Sequence, residues 1–307
     1  MRTQRLGSRG ADISVIGYGA WEAGGTAWGP NESEQVVIDA IRAGLDAGID
    51  WVDTAEVYGD GISEQLVGRA LEGRRDEVTV ASKVAPRSEG SGFAPAQVRE
   101  ACEKSLGRLG TDRIDLYQLH WPDENGTPLQ DTWGAMAELQ DAGLVRHVGV
   151  SNFDRDQIQA CLAIRHVDSL QPEFSMLTRK HADLISWCLD NGVGVISYGP
   201  LAFGLLTGAI TADTSFEAGD WRGQEQEDEG PFTDLPRSLA IVDRLRPVAT
   251  RLGISLADLA LAWNVHQPGV TAAIAGSRNP EHVRANAAAG DVELDASALE
   301  ELDTLLE

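Results

Sequence analysis

The sequence predicts a single α/β domain over residues 1–307, a (β/α)8 TIM barrel with a long acidic loop after its seventh strand. Short apolar β-branched runs alternate with amphipathic stretches, and these runs number eight. No linker rich in Pro, Gly or Ser divides the chain. Eight βα units with right-handed crossovers close most simply into a barrel, a fold for which this length is ordinary.

The predicted strands are short and are separated by helical patterns. They lie near residues 13–19, 49–53, 78–83, 114–119, 146–150, 169–172, 193–197 and 271–275. Several of the intervening segments begin with Ser, Asn or Asp and end in Gly, as helix caps prefer. Two helices are predicted before the eighth strand, at 236–253 and 255–267, and a last helix at 295–307.

The composition argues against several partners. The chain has 25 Lys and Arg against 48 Asp and Glu, a formal net charge of −23 and a pI near 4.5. Binding to nucleic acid or to anionic membranes needs an excess of cations, so neither is expected. The opening residues lack an apolar signal segment, and no apolar run approaches about 18 residues. A cytoplasmic protein is therefore predicted, and a monomer is favoured over an oligomer.

The cysteines do not indicate a metal site or disulfides. Cys102, Cys161 and Cys188 are widely spaced within helical patterns, which favours buried free thiols, and no metal is expected.

The segment 211–234 interrupts the pattern after the seventh strand. It is long, acidic and without periodicity. Loops of this length are usually functional or mobile, so it is either an active-site lid or a solvated acidic insertion.

Four polar side chains stand at or just past the ends of predicted strands, namely Asp53, Tyr58, Lys83 and His120. Parallel barrels place these strand ends on one face, so the four are expected to converge. Reduction of a carbonyl by hydride needs a proton for the developing alkoxide, and Tyr58 is the candidate acid. Lys83 would lower the pKa of Tyr58, and Asp53 would keep Lys83 charged. Neutral His120 would donate a hydrogen bond to the carbonyl oxygen.

The motifs around these residues resemble those of the aldo-keto reductase family, and the resemblance covers nearly the whole chain. It rests on DTAEVYGDGISEQLVGRAL at 53–71, ASK at 81–83 and DLYQLHWPD at 115–123, which carry the family's Asp, Tyr, Lys and His tetrad. The resemblance implies a single barrel that reduces aldehydes or ketones with NADPH and without a metal.

The resemblance also assigns residues to the cofactor. GVSNF at 149–153 and the later strand ends match segments that bind the nicotinamide and the pyrophosphate, through Ser151, Asn152, Gln171, Tyr198, Gly199, Pro200, Leu201 and Gly204. AIAGSRNPEHVRAN at 273–286 matches the segment that binds the adenosine 2′-phosphate and the adenine, through Gly276, Ser277, Arg278 and Asn286. The chain departs from the family at His282 and Ala285, where Gln and Glu are common, so the preference for NADPH over NADH stays open.

Two tryptophans are expected to shape the substrate pocket. The resemblance brings Trp21 and Trp121 to the pocket wall, and their indoles would suit small or aromatic carbonyl substrates. The other indoles considered are predicted to be packing residues: Trp28, Trp51, Trp133, Trp187 and Trp263. Since the chain stops at Glu307 without the long extension of some relatives, the pocket is expected to be open.

Two alternatives to a reductase remain at this point. The same barrel could host a Schiff-base aldolase or lyase with Lys83 as the nucleophile, because barrels support many chemistries. The family also includes channel-associated members, so a cofactor-bound regulatory subunit is the other alternative.

Overall fold

The structure of the protein is a computed structural model that describes residues 1–29, 31, 33–87, 92–123, 126–217, 219–224 and 230–306. Ten strands lie in these described ranges, and eight of them form a closed parallel barrel in the order β10-β3-β4-β5-β6-β7-β8-β9. The strands are β1 Thr3–Arg5, β2 Asp12–Ser14, β3 Ile16–Gly19, β4 Trp51–Asp53, β5 Thr79–Val84, β6 Ile114–Leu119, β7 Val145–Ser151, β8 Ser169–Gln171, β9 Gly194–Ser197 and β10 Ala272–Ile274. The predicted (β/α)8 barrel is confirmed.

Helices surround the barrel. They are α1 Glu34–Asp46, α2 Ile62–Ala70, α3 Pro95–Leu109, α4 Leu129–Asp141, α5 Arg155–Leu162, α6 Ala182–Asp190, α7 Leu235–Leu252, α8 Leu256–His266, α9 Pro280–Ala289 and α10 Ala296–Leu306. The cap signals operate as expected, since Ser33, Asp154 and Ser255 each accept a backbone N–H from the first turn of α1, α5 and α8.

The first predicted strand was wrong in extent. Residues 13–19 do not form one strand, because the chain breaks at Val15 between β2 and β3. β1 and β2 form an antiparallel hairpin, and Leu6 and Ile13 join the apolar cluster inside the barrel. The Ser8 backbone N–H donates to the Gly192 carbonyl, just before β9 begins. The hairpin therefore closes the floor of the barrel and leaves the opposite end for the site.

The barrel core follows the alternation of side chains along each strand. Trp51, Ala81, Leu116 and Ile196 form the interior cluster, whereas their chain neighbours pack outward against the helices. A residue two positions further along a strand points to the same side. This rule carries Asp53 of β4 and Lys83 of β5 into the open end of the barrel.

The three cysteines are buried free thiols, and burial raises the pKa of each to about 12. Within the described part of the chain, no helix is both long and apolar enough to cross a bilayer. The same residues contain no group of three or more His, Cys, Asp or Glu side chains placed to hold a metal ion.

Candidate active site

The structure brings Asp53, Lys83 and Tyr58 into one hydrogen-bonded chain at the open end of the barrel. The fully buried Lys83 Nζ lies 2.6 Å from Asp53 Oδ1, 3.0 Å from the Thr54 carbonyl oxygen and 3.2 Å from the Tyr58 hydroxyl. Burial alone would lower the pKa of Lys83, but Asp53 and Tyr58 together raise it above its ordinary value. Lys83 is therefore an ammonium group, and it donates to the tyrosine oxygen.

His120 follows β6 and completes the set. Its ring lies edge to face with that of Tyr58, with centroids 5.6 Å apart. Burial, together with the Lys83 charge, lowers the pKa of His120 well below its usual value. The imidazole is therefore neutral at physiological pH and can donate a hydrogen bond to an oxygen without carrying a charge.

The pKa of Tyr58 differs in direction from the expectation. Burial raises it, and the Lys83 charge offsets this only in part, so the phenol stays above its ordinary value in this structure. Lys83 does act to lower the pKa of Tyr58, as predicted, but the net shift is upward because desolvation of the phenolate is the larger effect. Tyr58 keeps its proton, which is the form that a general acid requires.

The turn that presents Tyr58 is fixed by close packing. A Cβ at Gly59, where φ is +63°, would lie 2.1 Å from the Gly24 carbonyl oxygen, so only glycine fits. Ser63 Oγ donates to the Ala20 carbonyl at 2.7 Å. The buried Glu64 accepts from Ser82 Oγ at 2.5 Å and from Arg108 Nε at 2.6 Å. These contacts tie the start of α2 to β3, β5 and α3, and they explain the glycine and the Ser-Glu pair in the motif.

A second polar network lies beside the first. Gln171 Nε2 donates to Asp53 Oδ2 at 2.9 Å and to Gln118 Oε1 at 3.1 Å. Gln171, expected to contact a nicotinamide, thus also positions Asp53. Gln118 was not singled out from the sequence, although its place two residues after Leu116 on the interior face of β6 was a usable signal.

The residues matched to the nicotinamide lie on the ends of β7 to β9. Asn152 Nδ2 donates to the His120 carbonyl and to Ser151 Oγ, both at 3.1 Å, and the Tyr198 hydroxyl donates to Asn152 Oδ1 at 3.0 Å. Asn152 has φ of +60°, an unusual value for a residue other than glycine. The side chains of Ser151, Asn152 and Tyr198 are thus joined by hydrogen bonds into one polar edge.

One cavity of about 750 Å³ collects most of the predicted site residues. Of the residues predicted from the sequence, it is lined by Trp21, Asp53, Tyr58, His120, Trp121, Ser151, Asn152, Gln171, Tyr198, Gly199, Pro200, Leu201, Gly204, Gly276, Ser277 and Asn286. Lys83 and Arg278 are not in the lining. Lys83 lies behind Asp53 and Tyr58, so it acts on the cavity through them.

Arg278 is directed to the loop after β3. Its guanidinium donates to the Trp28 carbonyl at 2.9 Å and to the Gly29 carbonyl at 3.1 Å, and its Nε lies 3.8 Å from Glu22 Oε2. A guanidinium that binds a 2′-phosphate would have to exchange some of these contacts.

The prediction that Trp28 is only a packing residue was wrong, because Trp28 lines the cavity. Its ring packs edge to face on Trp21 and on Trp221, with centroids 5.2 and 5.8 Å apart, and Arg222 lies over it at 4.7 Å. The Trp221 backbone N–H donates to the Ala27 carbonyl at 3.0 Å, which joins the loops after β3 and β9 across the cavity. These loops have no periodicity, so no sequence pattern indicated their contact.

The segment 211–234 is described only in part, since residue 218 and residues 225–229 lie outside the described ranges. The rest contains a short 3-10 helix at Trp221–Gly223. Asp220 accepts two hydrogen bonds from the Arg222 guanidinium at 3.0 and 2.6 Å, so the one cation of this helix is already paired.

Comparison with known proteins agrees with this geometry. A family model described as the aldo/keto reductase family matches residues 15–307. Aldo-keto reductase YhdN of Bacillus subtilis is 36% identical over 315 residues, covering 100% of this chain and 94% of that protein. The NADH-specific methylglyoxal reductase of Escherichia coli is 33% identical over 332 residues and covers both proteins fully, 100% of each.

Solved structures share the fold over nearly the whole chain. The glycerol dehydrogenase AKR11B4 of Gluconobacter oxydans has a TM-score of 0.87 at 31% identity and covers 99% of this chain and 94% of its own. An aldo/keto reductase of Klebsiella pneumoniae in complex with NADP and acetate has a TM-score of 0.76 at 34% identity and covers 98% and 95% of the two chains.

Proposed function

The chain belongs to the aldo/keto reductase family of oxidoreductases, and we propose that it transfers a hydride from NADPH to an aldehyde or ketone, with Tyr58 as the general acid. The observation that carries the proposal is the buried Asp53, Lys83 and Tyr58 chain ending in a cavity that His120 and Asn152 also line. Hydride addition makes an alkoxide, and this chain ends in a protonated phenol that can neutralise it.

The residues of the chain have separable tasks in the proposed reaction. Bound NADPH supplies the hydride. Tyr58 donates its proton to the carbonyl oxygen, Lys83 stabilises the tyrosinate that results, and Asp53 holds Lys83 in place. Neutral His120 donates a hydrogen bond to the same oxygen and stabilises the charge that develops on it.

The cavity fits a dinucleotide by the chemistry of its lining. Hydroxyl and amide groups of Ser151 and Asn152 stand beside Tyr198, and small residues at Gly199, Gly204 and Gly276 leave room for close approach of the ligand to backbone. Among relatives, one protein is named NADH-specific and another was crystallised with NADP. The choice of NADPH for this chain rests on Arg278.

The side chains near Tyr58 point to small or aromatic neutral carbonyls as substrates. Trp21, Val57 and Trp121 line the cavity beside Tyr58, and the last two are 42% and 37% exposed. Arg222, a cation in the same lining, is paired with Asp220. A substrate carboxylate would therefore meet apolar surface rather than an available cation.

The geometry opposes the Schiff-base alternative. Lys83 is fully buried, paired with Asp53 and absent from the cavity lining, so it is poorly placed to form a Schiff base. The turnover assay described next separates a reductase from a purely regulatory subunit.

The decisive test follows NADPH and NADH absorbance against a panel of aldehydes, ketones and sugars. Turnover of neutral carbonyls supports the proposal and identifies the substrate class. Absence of cofactor oxidation across the panel, in protein that binds the cofactor, would exclude it. Borohydride trapping of a substrate on Lys83 would favour the aldolase instead.

Replacing Arg278 by Ala is expected to weaken NADPH binding by about 1.5–3 kcal/mol, the value of a hydrogen bond to a charged group, and to change NADH binding little. Calorimetric titration of both cofactors measures the difference. Arg284→Ala is the matched control, because Arg284 lies exposed on helix α9, which begins just after Arg278. Equal losses for both cofactors would mean that Arg278 only supports the backbone of residues 28–29.

We also propose that 211–234 closes over bound NADPH as a lid. The support is the contact of Trp221 with Ala27, which already bridges the cavity, and the packing of Trp221 on Trp21 and Phe203. Hydrogen exchange should slow in peptides covering 219–224 when NADPH saturates the protein, while α3 peptides serve as the unchanged control. Unchanged exchange in 211–234 would show that the segment is a solvated insertion.

A further inference from the structure

Four charged side chains meet at the end of the cavity predicted to hold the adenosine 2′-phosphate. Glu22 comes from the loop after β3, Asp220 and Arg222 from the loop after β9, and Arg278 from the loop after β10. Arg222 is held by Asp220 and donates to the Phe203 carbonyl at 3.2 Å. Arg278 is therefore the cation that Glu22 contacts directly, at 3.8 Å.

The Glu22 carboxylate occupies a position suited to an anion. The Arg278 Nε lies 3.8 Å from this carboxylate, and both the charge and the backbone N–H of Arg278 act to lower the pKa of Glu22. A guanidinium and a backbone N–H next to the N-terminus of a helix, here α9 with Asn279 as its cap, are donors that also bind phosphate groups. The side chain of Glu22 is 26% exposed and lines the cavity, so it is accessible to a ligand.

We propose that Glu22 determines cofactor specificity, because its carboxylate occupies the anion position beside Arg278 that the 2′-phosphate of NADPH must take over and that NADH leaves undisturbed. The inference rests on the proposed function, since it concerns the same cofactor site. NADPH binding then has two costs. Arg278 must give up some of its contacts with Glu22 and with the Trp28 and Gly29 carbonyls. The 2′-phosphate must also lie close to the Glu22 carboxylate, which carries a charge of the same sign when ionised.

The charge balance around the position supports this competition. A phosphate monoester carries a charge of about −1.5 to −2 at neutral pH. Glu22 and Asp220 are both acidic, and Arg222 is already paired with Asp220. Burial raises the pKa of Glu22, and Arg278 and Arg222 offset this only in part. Burial therefore disfavours a charge on Glu22 and Arg278 favours it, and replacing the carboxyl by a group that cannot ionise should favour the phosphate.

The test is Glu22→Gln, which keeps the shape of the side chain and removes its charge. We expect NADPH to bind about tenfold more tightly, equivalent to about 1.4 kcal/mol, with less than about a twofold change for NADH. Calorimetry with NADPH, NADH and the fragments 2′,5′-ADP and ADP measures this without turnover. Glu34→Gln removes the same charge from an exposed pair with Arg69 and should change neither cofactor. An unchanged ratio of NADPH to NADH affinity in Glu22→Gln would overturn the proposal.

A double variant tests whether Glu22 acts through Arg278. In an Arg278→Ala background, Glu22→Gln should improve NADPH binding by less than about threefold, because the position for which both anions compete is gone. A full tenfold gain in NADPH affinity in that background would show that Glu22 only repels the phosphate, and would overturn the proposal that the two anions compete for Arg278.

The outcomes separate this inference from the proposed function. If the wild type reduces carbonyls but Glu22→Gln leaves the ratio of NADPH to NADH affinity unchanged, the inference alone is wrong. If Glu22→Gln shifts this affinity ratio but the wild type reduces no carbonyl, the proposed function is wrong and Glu22 remains a determinant of dinucleotide binding. Thermal unfolding of both variants confirms that each is folded under the conditions of titration.

Discussion

Tyr58→Phe is expected to lower turnover by about 10²–10⁴-fold, the usual contribution of a general acid, while NADPH affinity stays close to that of the wild type. The hydroxyl is the atom that faces the reacting oxygen in the proposed mechanism, and it also accepts a hydrogen bond from Lys83 at 3.2 Å. The ring remains to fill its place between Trp21 and His120. Steady-state rates and a cofactor titration on the same preparation provide the measurement.

A matched control for this variant is Tyr117→Phe. Tyr117 lies on β6 between two inward-pointing residues, so it faces outward and packs in the core beneath the helices. It loses the same hydroxyl without touching the cavity, and its turnover should remain near that of the wild type. Activity of Tyr58→Phe close to the control would remove Tyr58 from the role of acid.

The ionisation of the site explains why the phenol, rather than the imidazole, is assigned as the acid. Burial and the nearby Lys83 hold the pKa of His120 well below its usual value, so the imidazole is neutral at neutral pH and is not a protonated acid. Tyr58 keeps its proton because burial outweighs the effect of Lys83. In the proposed mechanism, Tyr58 protonates the alkoxide, and Lys83 at hydrogen-bond distance compensates the negative charge left on the tyrosine oxygen.

Much of the barrel and of the proton-delivery chain was predictable because both depend on local patterns. Seven of the eight predicted barrel strands agree with β4 to β10 within two residues at each end. Asp53 and Lys83 follow the interior positions Trp51 and Ala81 by two residues, so strand alternation alone directs them into the barrel. Asp53 and Lys83 then meet because β4 and β5 are neighbouring parallel strands.

The features that were not predicted come from loops and from competition between neighbours. Trp28 and Trp221 are in contact but lie in two loops without hydrophobic periodicity. No pattern in either loop therefore predicts the contact. Strand β1 was not predicted, and the end of β2 was joined to β3 in one predicted strand because Ile13, Val15 and the residues that follow are largely apolar. The contact of Arg278 with Glu22 was not predicted, since the motif around Arg278 led only to the prediction of a phosphate site and gives no information on a carboxylate from the loop after β3.

The buried ion pair gives the second large effect. Lys83→Met is expected to cost about 3–5 kcal/mol of stability, because it leaves the Asp53 carboxylate buried without its cation. Turnover should also fall by at least about 10²-fold, since Tyr58 loses the charge that stabilises its conjugate base. Denaturant unfolding and steady-state kinetics on the same variant measure the two losses.

The double variant Lys83→Met with Asp53→Asn separates structure from catalysis. It removes both charges, and the amide oxygen introduced at position 53 can still accept from Gln171, which in the wild type donates to Asp53 Oδ2 at 2.9 Å. Most of the lost stability should therefore return, while turnover stays at the level of the single variant. Lys104→Met is the control, because its exposed pair with Glu100 should contribute less than about 1 kcal/mol. If turnover instead recovers together with stability in the double variant, Lys83 supports the fold of the site and takes no part in the proton transfer.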